Sequence, residues 1–205
     1  MNIYVIGDSI SIHYGPFLEQ QLQGVMGYAR KEGAKDDLDN PNGANGGDSS
    51  MVLDFLRDQV ASNRIEADLL LVNCGLHDIK THRDTGEIQV TSEDYATNLR
   101  AIIKTASAVK LQLIWIRTTP LDETIHNARG VGFLRYNADH STYQQVADDI
   151  MREANIPVID LHTFTANLGP DLYLDHVHFP EPIREKQAAY ITGWLDAYRQ
   201  TLPSR

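Results

Sequence analysis

The chain has 205 residues, 42% of them hydrophobic and 22% charged, and 28 acidic against 18 basic side chains give a formal net charge of −10. That length suits one domain spanning residues 1–205, and the ordinary hydrophobic content excludes a disordered chain. The acidity argues against a nucleic-acid partner, no apolar run approaches the ~18 residues needed for membrane insertion, and the single cysteine, Cys74, excludes a disulfide framework.

The chain opens MNIYVIGDS, without a basic stretch leading into an apolar one, so no secretory signal is read and a cytoplasmic protein is expected. Ile3–Ile6 reads as a short buried strand. Leu18, Leu22 and Val25 recur at helical spacing, which predicts a helix over Phe17–Val25 with Pro16 in its first turn. A short strand is expected at Tyr28–Arg30, and the polar residues from Asp36 to Ser50 predict a loop. Val52, Leu53, Leu56 and Val60 mark a second helix, and Asp68–Asn73 is a strand rich in Leu and Val. After a polar stretch at Thr81–Thr91, Tyr95, Leu99, Ile102, Ile103 and Ala106 line one helix face behind an N-cap at Thr91 or Ser92. Leu111–Arg117 is the next strand, ended by Thr118-Thr119-Pro120. Tyr143, Val146, Ala147, Ile150, Met151 and Ala154 repeat the helical stripe. Pro157–Leu161 forms the last strand, and a closing helix covers Pro182–Leu202. Strands alternating with helices predict an α/β fold, a three-layer α/β/α sandwich of flavodoxin-like type with a five-stranded parallel sheet.

In such a sheet the functional crevice lies beyond the carboxyl ends of the strands. Gly7-Asp8-Ser9 follows the first strand, and Gly46-Gly47-Asp48-Ser49 lies in the loop after the second. The third runs into Asn73-Cys74-Gly75-Leu76-His77-Asp78. Asp175-His176-Val177-His178 stands between the last strand and the closing helix. These residues suit acyl transfer. A serine hydroxyl needs a base within hydrogen-bond reach and a third group to orient that base. Asp175 and His178 fall on one face of a turn, so the carboxylate can accept from imidazole Nδ1–H and leave Nε2 for a serine proton. A tetrahedral oxyanion also needs preorganised donors. The Ser9 N–H, a loop glycine N–H and a side chain from the Gly75–Asp78 turn are the candidates.

Gly7-Asp8-Ser9, Gly47-Asp48-Ser49, Gly75-Leu76-His77-Asp78 and Asp175-x-x-His178 together resemble the four blocks of the GDSL/SGNH hydrolase superfamily of serine esterases and lipases, in the family's order and over almost the whole chain. The resemblance implies an esterase that needs no cofactor and no metal. Ser9 would be the nucleophile, His178 the general base and Asp175 its orienting acid. Ser9 and Gly47 would give backbone oxyanion donors, with Asp8, Gly75 and Asp78 in support. The expected partner is a small-molecule ester with a short acyl chain, possible substrates including acetylated carbohydrates. One block departs: where the family has Gly-x-Asn-Asp, this chain has His77. An imidazole N–H can replace the amide as third oxyanion donor, at the cost of making donation depend on tautomer and on pH.

Each block alone reads as an ordinary turn or helix cap; their joint order carries the reading. His176 competes with His178 as base, but neighbours in a turn point apart. Asp160 and His162 read as strand-end residues, His13 and Tyr14 as helix-start packing, and Cys74 as a buried inert thiol. The Asp36–Asp48 loop is acidic, yet Leu38 and Pro41 fall on EF-hand ligand positions, so it reads as solvated loop. P-loop, Gly-x-Gly-x-x-Gly, Gly-x-Ser-x-Gly and His-Glu-x-x-His motifs are absent from the sequence. Two other classes stay open: a metal-dependent phosphoesterase built from Asp8, His77, Asp78, Asp175 and His178, and a non-catalytic binding protein on the same fold. The loops Thr81–Thr91 and Leu121–His140 are expected to border the cleft, with Arg129, Arg135 and Tyr136 as candidate substrate contacts. The net charge disfavours polyanionic substrates through long-range repulsion. The sequence is silent on oligomeric state.

Overall fold

The computed structural model describes residues 1–34, 37, 38 and 40–202. Its elements are β1 (Asn2–Ile6), α1 (Ser9–Leu22), β2 (Gly27–Arg30), α2 (Ser49–Ala61), β3 (Leu69–Val72), β4 (Thr81–His82), α3 (Ser92–Ala108), β5 (Gln112–Ile116), α4 (Glu123–Ala128), β6 (Phe133–Leu134), α5 (Asn137–Glu153), β7 (Val158–Ile159), α6 (Leu161–Ala166) and α7 (Glu181–Thr201). Five strands form the expected parallel sheet in the order β2-β1-β3-β5-β7. All of β3, Leu-Leu-Leu-Val, is buried, because helices cover both faces of a parallel sheet and leave no polar side. α1 packs with α7 in one helix layer, and α2, α3 and α5 pack side by side in the other. Leu18, Leu56, Leu99, Ile102, Ile191 and Leu195 meet the strand residues in the core.

The chain passes from β1 out to β2, returns across β1 to β3, and continues outward through β5 to β7. That reversal opens a crevice between the carboxyl ends of β1 and β3, the two strands that Ser9 and His77 follow.

Helix α1 begins at Ser9 and not at Phe17. Asp8 caps it, accepting from Ile10 N–H at 3.1 Å, and Ile10, Tyr14, Leu18 and Leu22 then form a buried stripe at every fourth position. Pro16 consequently stands inside the helix, where it removes one intrahelical donor. The polar stretch at Thr81–Thr91 contains β4, which pairs antiparallel with β6 (Thr81↔Leu134, His82↔Phe133). This pairing ties the loop after β3 to the loop after β5, and it is too short to leave an alternating pattern in the sequence. The last strand is shorter than Pro157–Leu161 because Asp160 caps α6, accepting from Thr163 N–H at 3.0 Å. Of the loop expected from Asp36 to Ser50, Asp36 and Asp39 lie outside the described residues, and its end is taken up by α2, which Asp48 caps. Thr91, and not Ser92, caps α3. No helix among the described residues is long and apolar enough to cross a membrane.

Candidate active site

The turn that ends β1 delivers Ser9 to the first position of α1. Its Oγ lies 2.8 Å from His178 Nε2, and His178 Nδ1 lies 2.8 Å from Asp175 Oδ2. With the hydroxyl donating to Nε2, the ring donates from Nδ1 to the carboxylate, the tautomer that a serine-activating base requires. Asp175 Oδ1 accepts from the backbone N–H groups of Val177 and His178, both at 2.9 Å, which closes the turn and puts the pair on one face. Burial pushes the Asp175 carboxyl up. The two N–H donors and the His178 imidazole outweigh that and hold it well below the usual carboxylate range. Buried Val177 and Phe179 flank His178 and anchor the turn, and Asp122 N–H donates to the His176 carbonyl at 2.8 Å.

The rival histidines are engaged by other partners. His176 Nδ1 accepts from Arg129 Nη1 at 2.8 Å. Asp160 pairs with Arg117 at 3.0 Å, while His162 Nδ1 sits 2.9 Å from the Thr118 carbonyl oxygen, so those two form no dyad. His13, on α1, packs against the His178 ring with centroids 4.9 Å apart. Burial, with Arg184 and His178 nearby, pushes the His13 pKa down to about 4, so it braces the imidazole as a neutral group. Cys74 is fully buried, and burial pushes its thiol up, away from the reactive thiolate.

Ser9, His77 and His178 border one cavity of about 110 Å³. The Ser9 N–H is the first amide of α1, an orphan donor by helix geometry. His77 is buried, and burial, together with Lys80, Arg135 and His178, pushes its pKa well below the ordinary histidine value. That shift favours the neutral ring, which carries one N–H, near pH 7. Asn45 fixes which nitrogen holds it. Its Oδ1 accepts from Gly47 N–H at 2.7 Å and its Nδ2 donates to the Leu38 carbonyl, which sets the orientation of the amide. Nδ2 also faces His77 Nε2 at 3.4 Å. An amide nitrogen only donates, so Nε2 accepts and the ring proton sits on Nδ1.

The same amide engages Gly47. That residue stands at the site, where its φ of +75° and a would-be Cβ only 2.5 Å from Met51 Sδ demand glycine. Its N–H, however, is held by Asn45 and not left open to an oxyanion, and the Gly46 N–H goes to the Gly7 carbonyl at 2.8 Å. Sequence reasoning missed Asn45, and also the cations that hold its loop. Arg30 donates to the carbonyls of Ser11 at 2.7 Å and Ala44 at 3.1 Å. Lys31 donates to those of Pro41 at 2.8 Å, Asn45 at 2.7 Å and Gly43. These buried side chains strap the Asn45–Gly47 loop to the helix that bears Ser9. Their only sequence signal was a pair of cations at the end of a half-buried strand.

Asp8, Gly75 and Asp78 are structural neighbours of these groups. Burial raises the Asp8 carboxyl. Gly75 sits where a Cβ would come within 3.0 Å of Thr118 Cγ2, at a φ of +143°. Asp78 Oδ1 accepts from Ser49 N–H at 2.9 Å. Burial pushes Asp78 up to about 7, against the hydrogen bonds from Ser49. A carboxyl raised in this way stabilises the fold while protonated, and that stabilisation is lost as pH rises from about 4 through about 7. Asp78→Asn should therefore gain on the parent chain by about 3 kcal/mol between about pH 5 and about pH 8. Urea unfolding at both pH values measures this, and a constant difference would remove the buried-carboxyl account. Of the five residues of the phosphoesterase alternative, Asp8, His77 and His178 border the Ser9 cavity and Asp175 is bonded to His178. Among the described residues, no three His, Cys, Asp or Glu side chains are placed to hold an ion.

The sequence profile of the GDSL-like lipase/acylhydrolase family matches residues 5–182. The structure is similar to a lipase/acylhydrolase from Enterococcus faecalis, with a TM-score of 0.72 and 18% identity over 96% of each chain. It is also similar to the acetyl xylan esterase AlAXEase, at a TM-score of 0.71 and 14% identity over 95% of this chain and 100% of that one. A third similar structure is the psychrotrophic esterase EstA from Pseudoalteromonas sp., at 0.61 and 17% identity over 95% of this chain and 98% of that one. At these identities the likeness establishes a common fold. No curated protein matches the sequence significantly.

Proposed function

This chain belongs to the GDSL-like lipase/acylhydrolase family, and on that premise we propose that it works as a single domain that hydrolyses a small carboxylic ester through an acyl-enzyme on Ser9. The observation that carries the reading is the unbroken relay from Ser9 Oγ through His178 to Asp175, each step 2.8 Å long. Ser9 Oγ attacks the ester carbonyl as its proton passes to His178 Nε2. Asp175 stabilises the resulting imidazolium, and the Ser9 N–H and His77 Nδ1–H receive the oxyanion. The imidazolium then protonates the departing alcohol. Water attacks the acyl-enzyme, His178 takes its proton, and the acid leaves as the Ser9 hydroxyl is restored.

The small cavity suits a short acyl group, and acetylated carbohydrate is the substrate class proposed; a structurally similar protein is an acetyl xylan esterase. Intact-mass measurement after treatment with a fluorophosphonate tests the nucleophile. One adduct on the parent chain and none on Ser9→Ala is expected. A folded parent chain that takes up no reagent would defeat the proposal.

A further inference from the structure

Ester hydrolysis leaves one wall of the Ser9 cavity unexplained. The protein is acidic overall, yet that wall is lined by His126, Arg129, Arg135 and His176. Arg129 Nη1 lies 3.8 Å from Asp175 Oδ2 and donates to His176 Nδ1, so its guanidinium sits beside the relay. Arg135 is 3% exposed; its Nε donates to the Leu76 carbonyl at 2.7 Å and its guanidinium stands 4.9 Å over the Phe133 ring. The nearby carboxylate of Asp175 is already met by His178 and two backbone N–H groups.

His126 adds an independent observation. It is 0% exposed, it borders the cavity, and neither ring nitrogen has a hydrogen-bond partner. The Phe133 backbone lies close enough to the ring to oppose part of the effect of burial. Burial, reinforced by Arg135 and His176, pushes its pKa down to about 4, so it stands as a neutral ring with one N–H to give. A buried polar group of this kind is costly to leave unmatched, and a ligand that enters the cavity can supply the match.

We infer that this wall is a subsite for a carboxylate carried by the ester substrate near its scissile carbonyl, with Arg129 and Arg135 supplying the charge and His126 a ring N–H. The inference rests on the acyl-enzyme reading and narrows its substrate. The overall charge does not oppose it: in physiological salt the Debye length is about 8 Å, so distant surface acids are screened while groups on the cavity wall act directly. Repulsion of polyanions at long range and capture of one carboxylate inside the cavity are compatible.

The test compares kcat/KM within two matched pairs. p-Nitrophenyl acetate against mono-p-nitrophenyl succinate places the carboxylate on the acyl side. An O-acetylated methyl glucoside against the corresponding glucuronide places it on the alcohol side. In one pair the carboxylate ester should be preferred by about tenfold or more, and Arg129→Gln should remove most of that preference. Equal loss on both members of the pair would show that Arg129 only orients Asp175 and His176, and would overturn the inference, as would the lack of any preference. Inertness toward all the esters also overturns it. Fluorophosphonate labelling of Ser9 would then leave the nucleophile reading standing, and an absence of labelling would remove both.

Discussion

Replacing Ser9 or His178 with alanine should lower kcat by about 10⁶-fold, and the double variant should be no worse than either single one. The relay explains the non-additivity. Without the imidazole the Ser9 hydroxyl has no acceptor for its proton, and without the hydroxyl the imidazole has nothing to activate. Asp175→Asn should cost less, about 10⁴-fold, and for a definite geometric reason. Asp175 Oδ1 accepts two backbone N–H groups at 2.9 Å, so an asparagine would keep its oxygen there and turn its Nδ2 toward His178 Nδ1. Facing a donor, Nδ1 would become an acceptor and move the ring proton to Nε2, where it cannot receive the serine proton. Steady-state kcat on p-nitrophenyl acetate, with circular dichroism to establish folding, measures the series. A His178→Ala variant within tenfold of the parent chain would transfer the base to another group, His176 first.

Much of this site was legible because its parts are local. Asp175 and His178 close their own turn, Asp8 caps the helix that Ser9 opens, and the alternation of strands and helices brings the blocks to one sheet edge. What escaped depends on contacts between segments far apart in sequence. Asn45 acts on His77 across the crevice, and nothing in Asn45-Gly46-Gly47 distinguishes an amide that engages a neighbouring N–H from an ordinary turn residue. Arg30 and Lys31 look like the surface cations of a short strand until the loop at 41–45 folds back over them. The start of α1 was misplaced because Ser9 and Ser11 are small and polar and Gly15-Pro16 mimics a break, while the cap and the stripe from Ile10 to Leu22 determine the real start. The direction of His77's titration was also out of reach, because it depends on burial that no local pattern records.

His77 is where that burial has a kinetic consequence. His77→Ala should lower kcat by about 10²–10³-fold, the usual loss for one oxyanion donor, whereas His77→Asn, which restores an amide, should stay within about tenfold of the parent chain. The sign of the pH effect follows from the shift. A ring whose pKa lies well below 6.5 is neutral at every pH above that value, so its single N–H is present throughout. The kcat ratio of the parent chain to His77→Asn should accordingly be flat from pH 6.5 upward. A ratio that climbed as pH fell through that range would mean that the ring gains a proton and donates more strongly as imidazolium. The engagement of Gly47 by Asn45 makes a further comparison informative. Asn45→Ala frees the Gly47 N–H but also removes the partner that sets the His77 tautomer, so in the parent chain its two effects oppose each other. In the His77→Ala background only the first remains. Asn45→Ala should then recover part of the lost kcat, because a released glycine N–H can take up the oxyanion that His77 no longer reaches.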